Sequence, residues 1–243
     1  MRKLTCRLIV LLLLASIACA AHTAPPAAAR PTATPPADPA AIRWVRDAVE
    51  YQATVIQVYR QATMRVEAEA ATRAAGTWAV VLDADETVIS NLTYQVERAR
   101  AGQPYTPESW REWVRRRAAT PLPGAAAFLA RVHALGGRIA IVTNRLQSEC
   151  EDTEAVFRLH ALQYDAMLCQ ADGGPSDKNP RFEAVAAGRT SASAAPLVIV
   201  AFLGDNVLDF PGASQASMRQ GPSAMEPFGV RFFLIPNPMY GSW

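Results

Sequence analysis

The stretch Trp78-Ala-Val-Val-Leu-Asp-Ala-Asp-Glu-Thr87 decides the fold. It begins with a continuous apolar run, Trp78 to Leu82, which is too short for a helix and typical of a strand buried on both faces. Two carboxylates, Asp83 and Asp85, follow this run directly. Because ligands of parallel sheets bind beyond the carboxyl ends of the strands, the stretch predicts a central strand that ends in a binding site.

Further apolar runs of the same character occupy residues 138–142, 197–203 and 230–235. Segments with helical character lie between the runs, among them residues 124–135 and 151–162. Strands that alternate with helices predict an α/β fold with a Rossmann-like, mostly parallel sheet flanked by helices.

Residues 92–123 interrupt this alternation, because they carry no strand signal. They contain Trp110, Trp113 and the run Arg115-Arg116-Arg117. We predict a small helical cap insert here, with the arginines on a solvated face.

The composition limits the classes of function. The chain has 243 residues, of which 50% are apolar and 19% charged, so it can bury one substantial core with a small appended cap. Beyond residue 20 there are 21 basic and 22 acidic residues. This near balance gives no reason to expect nucleic acid as a partner, and the sequence indicates no oligomeric state.

Residues 1–20 have the order of a secretory signal peptide: Met-Arg-Lys, then an apolar run, then Ala18-Cys19-Ala20. A membrane-spanning helix needs about 20 apolar residues, and this run is shorter. The leader can end in two ways, by cleavage after Ala20 or as a lipoprotein with lipid on Cys19. We therefore expect export, either to the periplasm or as an outer-membrane lipoprotein tethered to the membrane.

An Ala/Pro-rich linker is expected at residues 21–41, where prolines are frequent and apolar periodicity is absent. The folded domain is then residues 42–243. It should open with a helix that continues to about Arg73. The apolar stripe that predicts this helix consists of Ile42, Val45, Val49, Ala53 and Ile56.

Polar residues follow three of the apolar runs. Besides Asp83 and Asp85, they are Thr143-Asn144-Arg145 and the stretch from Gly204 to Asp209. In a parallel sheet the loops after these runs meet at one edge. Aspartates gathered there repel one another, and a hard divalent cation neutralises them. Oxygen ligands point to Mg²⁺, whereas the three histidines, His22, His133 and His160, lack the spacing of a zinc site.

Phosphoryl transfer suits such a site, because it needs neutralised charge and in-line positioning. Asp83 can attack phosphorus, and Asp85 can protonate the leaving oxygen and later deprotonate a water. An isolated D-x-D pair could equally cap a helix. Thr143, Lys178 and Asp205 follow in the order that a single cleft requires, which favours the catalytic interpretation.

With these motifs the sequence resembles the haloacid dehalogenase (HAD) superfamily, and more narrowly the class C acid phosphatases of subfamily IIIB, exported bacterial enzymes that are often outer-membrane lipoproteins. The resemblance runs from about Trp44 to the C-terminus. It rests on the stretches Asp83-Ala-Asp-Glu-Thr-Val-Ile-Ser-Asn91, Val142-Thr-Asn-Arg145, Gly204-Asp-Asn-Val-Leu-Asp-Phe210 and Pro236-Asn-Pro-Met-Tyr-Gly-Ser-Trp243.

The resemblance implies an HAD fold and an acid phosphatase that acts on small phosphomonoesters, including nucleoside monophosphates. Asp83 would be the nucleophile and Asp85 the general acid/base, while Thr143 and Lys178 would bind and neutralise the phosphoryl group. Mg²⁺ would be held by Asp83, the backbone carbonyl of Asp85, and Asp205.

Further residues complete the implied site. Asp209 and Asn206 would support the metal ligands from behind, and Asn144 and Arg145 would contact substrate. A flat leaving group would lie between Trp110 and Tyr240. The alternative for these two aromatic residues is a packing role only.

Cys150 and Cys169 are the only cysteines beyond the leader. An even pair in an exported chain often forms a disulfide, so we predict a bridge between the helix after Thr143 and the next strand region. Two buried thiols are the alternative.

Other functions fit the sequence less well. A dehalogenase needs no general acid at the position of Asp85, and a non-catalytic binding protein would not need the whole set of polar residues. The G-x-S-x-G, G-x-G-x-x-G and P-loop motifs are absent. A phosphotransferase stays open, because it differs only in the acceptor that reaches the acyl phosphate.

Overall fold

The structure is a computed structural model of the protein, and it describes residues 38–243. The predicted signal peptide of residues 1–20, the lipidation candidate Cys19 and most of the linker of residues 21–41 lie outside the described residues.

Seven strands lie within the described part of the chain: β1 (Trp78–Leu82), β2 (Ile89–Ser90), β3 (Thr120–Pro121), β4 (Arg138–Leu146), β5 (Ala166–Gln170), β6 (Val198–Gly204) and β7 (Phe232–Leu234). Five of them form one parallel sheet in the order β5-β4-β1-β6-β7. β2 and β3 form a separate antiparallel ribbon. The predicted α/β fold with a mostly parallel sheet is confirmed.

Eight α-helices accompany these strands in residues 38–243: α1 (Ala40–Asp47), α2 (Val49–Ala70), α3 (Leu92–Arg100), α4 (Pro107–Arg116), α5 (Ala125–Ala134), α6 (Cys150–Leu159), α7 (Asn179–Ala186) and α8 (Gln215–Met218). Short 3₁₀ turns occupy Gln147–Glu149, Val207–Asp209 and Pro222–Met225. Within these residues, no helix is both long enough and apolar enough to cross a membrane.

The central strand β1 is buried on both faces, as its apolar run predicts. Val80 and Leu82 belong to one apolar cluster, and Ala79 and Val81 belong to a second. The chain adds strands outward from β1 in both directions, so the strand order reverses between β1 and β6. A crevice opens at such a point, beyond the carboxyl ends of the two strands.

The N-terminal helical region differs from the prediction. The chain is extended at Ala48 (φ −81°, ψ 124°), so α1 and α2 are separate helices. The break shifts the phase of the apolar stripe. Val49 is 71% exposed, and Ala53 is exposed as well. The buried face of α2 consists of Tyr51, Val55, Tyr59, Ala62 and Val66.

The segment between β2 and β3 contains α3 and α4, and the two strands pair at its base. Thr106 caps α4 by accepting the Ser109 N–H at 3.2 Å, and Pro107 occupies the first turn. Trp113 of α4 is 1% exposed and so ties the insert to the main core.

Cys150 begins α6 and Cys169 lies in β5, and a disulfide joins them with their Cα atoms 6.1 Å apart. The predicted bridge is confirmed. It links α6 to the strand at one end of the sheet order.

Candidate active site

A cleft of about 540 Å³ opens at the carboxyl edge of the sheet. Its lining includes all of the predicted catalytic, metal and substrate residues except Thr143, namely Asp83, Asp85, Trp110, Asn144, Arg145, Lys178, Asp205, Asn206, Asp209 and Tyr240. Gln95, Tyr105, Leu208 and the C-terminal Gly241 and Ser242 complete it.

Asp83 lies at the end of β1, where its backbone N–H donates to the Leu203 carbonyl at 3.0 Å. Its carboxylate accepts from Lys178 Nζ at 2.5 Å, and the same ammonium donates to Asp209 Oδ1 at 2.6 Å. All three side chains are buried. Although burial by itself lowers the pKa of Lys178, the two carboxylates raise it overall, so the ammonium stays charged.

Asp209 packs close to the end of β6 because the residue there, Gly204, has no side chain. A Cβ placed on Gly204 would lie 2.2 Å from the Cβ of Asp209, so no larger residue fits. Asp209 Oδ2 accepts the Asn206 N–H at 2.9 Å, while Oδ1 faces Lys178. Both oxygens are therefore occupied by protein donors, which suits a supporting role better than direct metal ligation.

The carboxylates of this cluster repel one another. Burial raises the pKa of Asp83 to about 7, with Asp209 and Asp85 adding to the effect and Lys178 opposing it. Burial also raises the pKa of Asp205 well above its usual range, and the charges of Asp209 and Asp83 add to this. One buried ammonium does not neutralise the group, so a further cation would stabilise the ionised carboxylates.

The donor set fits a divalent metal. Single carboxylate oxygens of Asp83, Asp205 and Asp209 all lie within 4.8 Å of one another. Within residues 38–243, Asp83 Oδ2 and Asp205 Oδ1 accept no hydrogen bond, whereas Asp205 Oδ2 accepts from Asn237 Nδ2 at 2.8 Å. Carboxylate oxygens of this kind are ligands for hard cations such as Mg²⁺.

Asp85 lies two residues beyond Asp83 and is held by two partners. Arg145 donates to it through Nε (3.1 Å to each oxygen) and Nη2 (2.8 Å to Oδ1), and Asn91 Nδ2 donates to Oδ1 at 2.7 Å. The turn after β1 aims this side chain, because Val88 and Ile89 both donate their N–H groups to the Ala84 carbonyl at 2.9 Å.

Thr143, Asn144 and Arg145 lie in the last part of β4, in the stretch between Val142 and Leu146 where its register against β5 shifts. Thr143 is fully buried, and its Oγ1 accepts the Arg145 N–H at 3.1 Å. Asn144 is exposed, and its side-chain oxygen accepts from Arg181 Nη2 at 2.5 Å. Arg181 also donates to the Thr143 carbonyl at 2.5 Å, which fixes this strand end to α7.

Trp110 and Tyr240 both line the cleft, from the insert and from the C-terminal segment respectively. The Trp110 ring packs edge-on against Tyr94, with ring centroids 5.3 Å apart, and it lies under the Arg145 guanidinium at 5.3 Å. The Tyr240 hydroxyl donates to buried Glu86. Each aromatic residue thus has a protein partner as well as a face towards the cleft.

The comparison with known proteins agrees with this geometry. The family model for the HAD superfamily, subfamily IIIB (acid phosphatase), matches residues 8–243. The chain belongs to this acid phosphatase family. It is also similar to the class C acid phosphatase of Bacillus anthracis, with 30% identity over 84% of both chains and a TM-score of 0.73. A second structure of the Bacillus anthracis enzyme, with tungstate bound, matches with the same identity and coverage and a TM-score of 0.74.

The acid phosphatase is thus a phosphomonoesterase of the HAD fold, and the resemblance stated from its motifs is confirmed. Phosphatases of this superfamily use a divalent metal, and the carboxylates of Asp83 and Asp205, with Asp209 supporting them, fit one.

Sequence reasoning did not single out four residues that shape the acid phosphatase cleft: Glu86, Asn91, Arg181 and Asn237. Glu86, Asn91 and Asn237 stand within stretches that carry the family resemblance, yet nothing in their spacing assigns them a partner. Glu86 is 1% exposed, and its carboxylate accepts the Asn91 N–H at 2.6 Å. Burial raises the pKa of Glu86 to about 8, with the charge of Asp85 adding to the effect.

Proposed function

We propose that this acid phosphatase hydrolyses phosphomonoesters through an aspartyl-phosphate on Asp83 and that it depends on Mg²⁺. The observation that carries the proposal is the buried cluster of Asp83, Lys178 and Asp209 beside Asp205, at the carboxyl ends of β1 and β6. This cluster provides a nucleophile, a fixed positive charge and oxygen ligands in one cleft. Tungstate, the ligand in one similar structure, is a tetrahedral oxyanion like phosphate.

In the first step a carboxylate oxygen of Asp83 attacks phosphorus as the bond from phosphorus to the leaving oxygen breaks. The Asp85 carboxyl gives its proton to that oxygen, and the alcohol departs. In the second step Asp85 takes a proton from water while the water oxygen attacks phosphorus. The bond from phosphorus to Asp83 then breaks, which releases inorganic phosphate and restores both carboxyl groups.

Other residues handle the charge of the phosphoryl group. Lys178 lies 2.5 Å from Asp83 and so supplies a positive charge where the phosphoryl oxygens must lie. Asn144 and the Thr143 hydroxyl are the proposed phosphate-binding groups at the end of β4. Mg²⁺, when bound by Asp83, Asp205 and the Asp85 carbonyl, neutralises the remaining negative charge.

We propose that the leaving group is flat, as in a nucleoside monophosphate or an aryl phosphate. Support comes from Trp110, Tyr105 and Tyr240, aromatic side chains that line the cleft on the sides of the insert and the C-terminal segment. Aromatic side chains stack with bases with a benefit of about 1–3 kcal/mol per base.

We also propose that the enzyme is exported and that its phosphatase domain spans residues 42–243. The composition of residues 1–20 supports export, and so does the disulfide of Cys150 and Cys169, since such bonds persist in oxidising compartments. N-terminal analysis of the mature protein tests this proposal. A lipidated Cys19 as the first residue indicates a lipoprotein, and Ala21 as the first residue indicates cleavage after Ala20. A mature protein that keeps Met1 would contradict both.

The mechanism is tested with a panel of phosphomonoesters, assayed with Mg²⁺ and after its removal by a chelator. We expect activity that is lost on chelation and returns when Mg²⁺ is added back. Asp83→Asn should lower kcat by at least about 10³-fold with the fold intact, because the amide has the same shape but does not attack phosphorus. Asp47→Asn, at an exposed aspartate of α1, is the matched control and should keep full activity. Full activity of Asp83→Asn, or of the chelated enzyme, would contradict the proposal.

A further inference from the structure

Arg145 is a charged residue whose side chain is almost completely buried. Its side chain is 1% exposed, although the residue lies at the cleft wall. Its Nε and Nη2 donate side by side to the Asp85 carboxylate, at 2.8–3.1 Å. A paired fork of this kind fixes the plane of a carboxylate as well as its position.

The remaining contacts of Arg145 hold the guanidinium itself in place. Nη1 donates to Thr153 Oγ1 of α6 at 3.2 Å, and Nη2 donates to Asn91 Oδ1 at 3.1 Å. The ring of Trp110 covers one face, with its centroid 5.3 Å from Cζ. Each of the three guanidinium nitrogens thus donates to a protein acceptor. Few of its N–H groups therefore remain for a substrate phosphate.

Asn91 is the second group that holds Asp85, and it is fully buried. Its Nδ2 donates to Asp85 Oδ1 at 2.7 Å and to Glu86 Oε2 at 3.0 Å. Its Oδ1 accepts from Trp113 Nε1 at 2.7 Å and from Arg145 Nη2. Indole and guanidinium groups only donate hydrogen bonds, and carboxylates only accept them. The Asn91 amide can satisfy both kinds of partner, because its oxygen accepts while its NH₂ group donates.

We propose that Arg145 and Asn91 are positioning residues that hold Asp85 beside the position opposite Asp83, which the leaving oxygen and later the attacking water occupy in turn. The proposal rests on the proposed function, in which Asp85 is the general acid/base. It gives Arg145 a different role from the substrate contact that the family resemblance implies. Through Trp113, whose Nε1 donates to Asn91, it also connects Asp85 to the insert.

A misplaced proton donor affects substrates unequally. A leaving group that is a weak base, such as p-nitrophenolate, departs with little protonation, whereas the alkoxide of glycerol phosphate needs the proton. A lost substrate contact instead weakens both substrates alike. The ratio of kcat/KM for p-nitrophenyl phosphate to that for glycerol phosphate therefore distinguishes the two roles, since kcat/KM covers only the steps up to departure of the alcohol.

The test compares Arg145→Lys and Asn91→Asp with the wild type and with Asp85→Asn. The lysine keeps the charge but lacks the fork, and the aspartate keeps the shape but cannot donate to Asp85. We expect each variant to lose at least about 100-fold in kcat/KM on glycerol phosphate and less than about 10-fold on p-nitrophenyl phosphate. Combined with Asp85→Asn, Arg145→Lys should cause little further loss, because the group that it positions is already disabled.

Arg116→Lys is the matched control. Arg116 also lies over a tryptophan ring, that of Trp113 at 4.9 Å, but it pairs with Glu97 on the surface. This variant should leave the substrate ratio unchanged. Circular dichroism and thermal unfolding verify that each variant is folded, and Asn91→Asp decides if Arg145→Lys does not fold.

Two results separate the proposals. If Asp85→Asn shifts the substrate ratio but Arg145→Lys and Asn91→Asp lower both substrates equally or raise only KM, the positioning role is wrong and the proposed function stands. If Asp85→Asn itself leaves the ratio unchanged, Asp85 is not the proton donor, and both proposals are overturned.

Discussion

At the scale of single residues, Trp110 and Tyr240 each combine a packing contact with a position on the cleft wall. Trp110 packs against Tyr94 and Arg145, and Tyr240 bonds to Glu86, so a loss of either side chain can disturb the protein as well as a substrate. Kinetics on two substrates separates these effects.

We predict that Trp110→Ala and Tyr240→Ala lower kcat/KM for a nucleoside monophosphate by about 5- to 100-fold, because each removes a stacking surface worth about 1–3 kcal/mol. Glycerol phosphate has no flat group, so its kcat/KM should fall much less. Both substrates are measured with each variant, and Trp44→Ala, at a partly exposed aromatic residue of α1 that does not line the cleft, is the control and should change neither substrate. Equal losses on the two substrates would leave only the packing role.

The sequence pattern places the predicted carboxylates but not Lys178. Asp83, Asp85 and Asp205 lie within three residues after an apolar run, so their place at the sheet edge is predictable from the chain, whereas Lys178 follows no such run. Glu86 and Asn237 have partners far away in sequence: Asn237 bonds to Asp205, 32 residues away, and Glu86 accepts from Tyr240, 154 residues away. Local pattern carries no information about such pairs.

At the scale of elements, the C-terminal segment closes one side of the cleft although it has no regular structure after β7. Asn237 donates to Asp205, Tyr240 to Glu86, and Ser242 Oγ to Asn206 Oδ1 at 2.7 Å. Each contact is made to a residue that follows β1 or β6. The segment is therefore held by the same loops that supply the carboxylates.

Two elements show where the element predictions fail. The stripe from Ile42 to Ile56 predicts one helix, but a break at Ala48 rotates the buried face, and no Pro or Gly marks the break. A strand region was expected at Cys169, but no apolar run marks the bounds of β5, because it is short and only two of its residues, Ala166 and Cys169, are buried. Edge strands carry a weaker apolar signal than central ones.

The disulfide of Cys150 and Cys169 joins the start of α6 to β5, across a sequence separation of 19 residues. We predict that replacing both cysteines by serine lowers the free energy of unfolding by about 3 kcal/mol, because the unfolded chain gains the freedom that the closed loop removed. Activity should stay close to that of the wild type, since neither residue lines the cleft.

Urea unfolding of the double variant, of the wild type and of the reduced wild type measures this effect. The reduced wild type is the matched control and should lose the same amount. A loss below about 1 kcal/mol in both would show that the bridge does not stabilise the fold.

At the scale of the whole molecule, the parallel sheet with its five strands gathers the end of β1 and the end of β6 at one crevice, and this placement follows from the alternation of strands and helices. The crevice concentrates buried carboxylates, which cost stability wherever they are ionised without a cation. Stability, metal binding and pH are therefore linked in this protein.

The metal-free protein should lose stability between pH 5 and pH 8. Burial raises the pKa of Asp83 to about 7 and that of Glu86 to about 8, above the values of about 3.9 and 4.3 in an unfolded chain. In this window the folded state binds more protons than the unfolded state, so the free energy of unfolding falls as pH rises. Carboxylates with a lowered pKa, such as Asp38 and Glu97, are ionised in both states and do not contribute.

Mg²⁺ should oppose this loss, because it binds the ionised carboxylates and competes with protons for them. We expect the Tm of the chelated protein to fall by at least about 4 °C from pH 5 to pH 8, and the gain in Tm on adding saturating Mg²⁺ to be larger at pH 8 than at pH 5. Asp83→Asn removes one of the titrating groups, so its metal-free Tm should depend less on pH. Thermal unfolding between pH 5 and pH 8, followed by circular dichroism, measures these changes in Tm. A metal-free Tm that is constant or rises with pH would contradict the raised pKa values of Asp83 and Glu86.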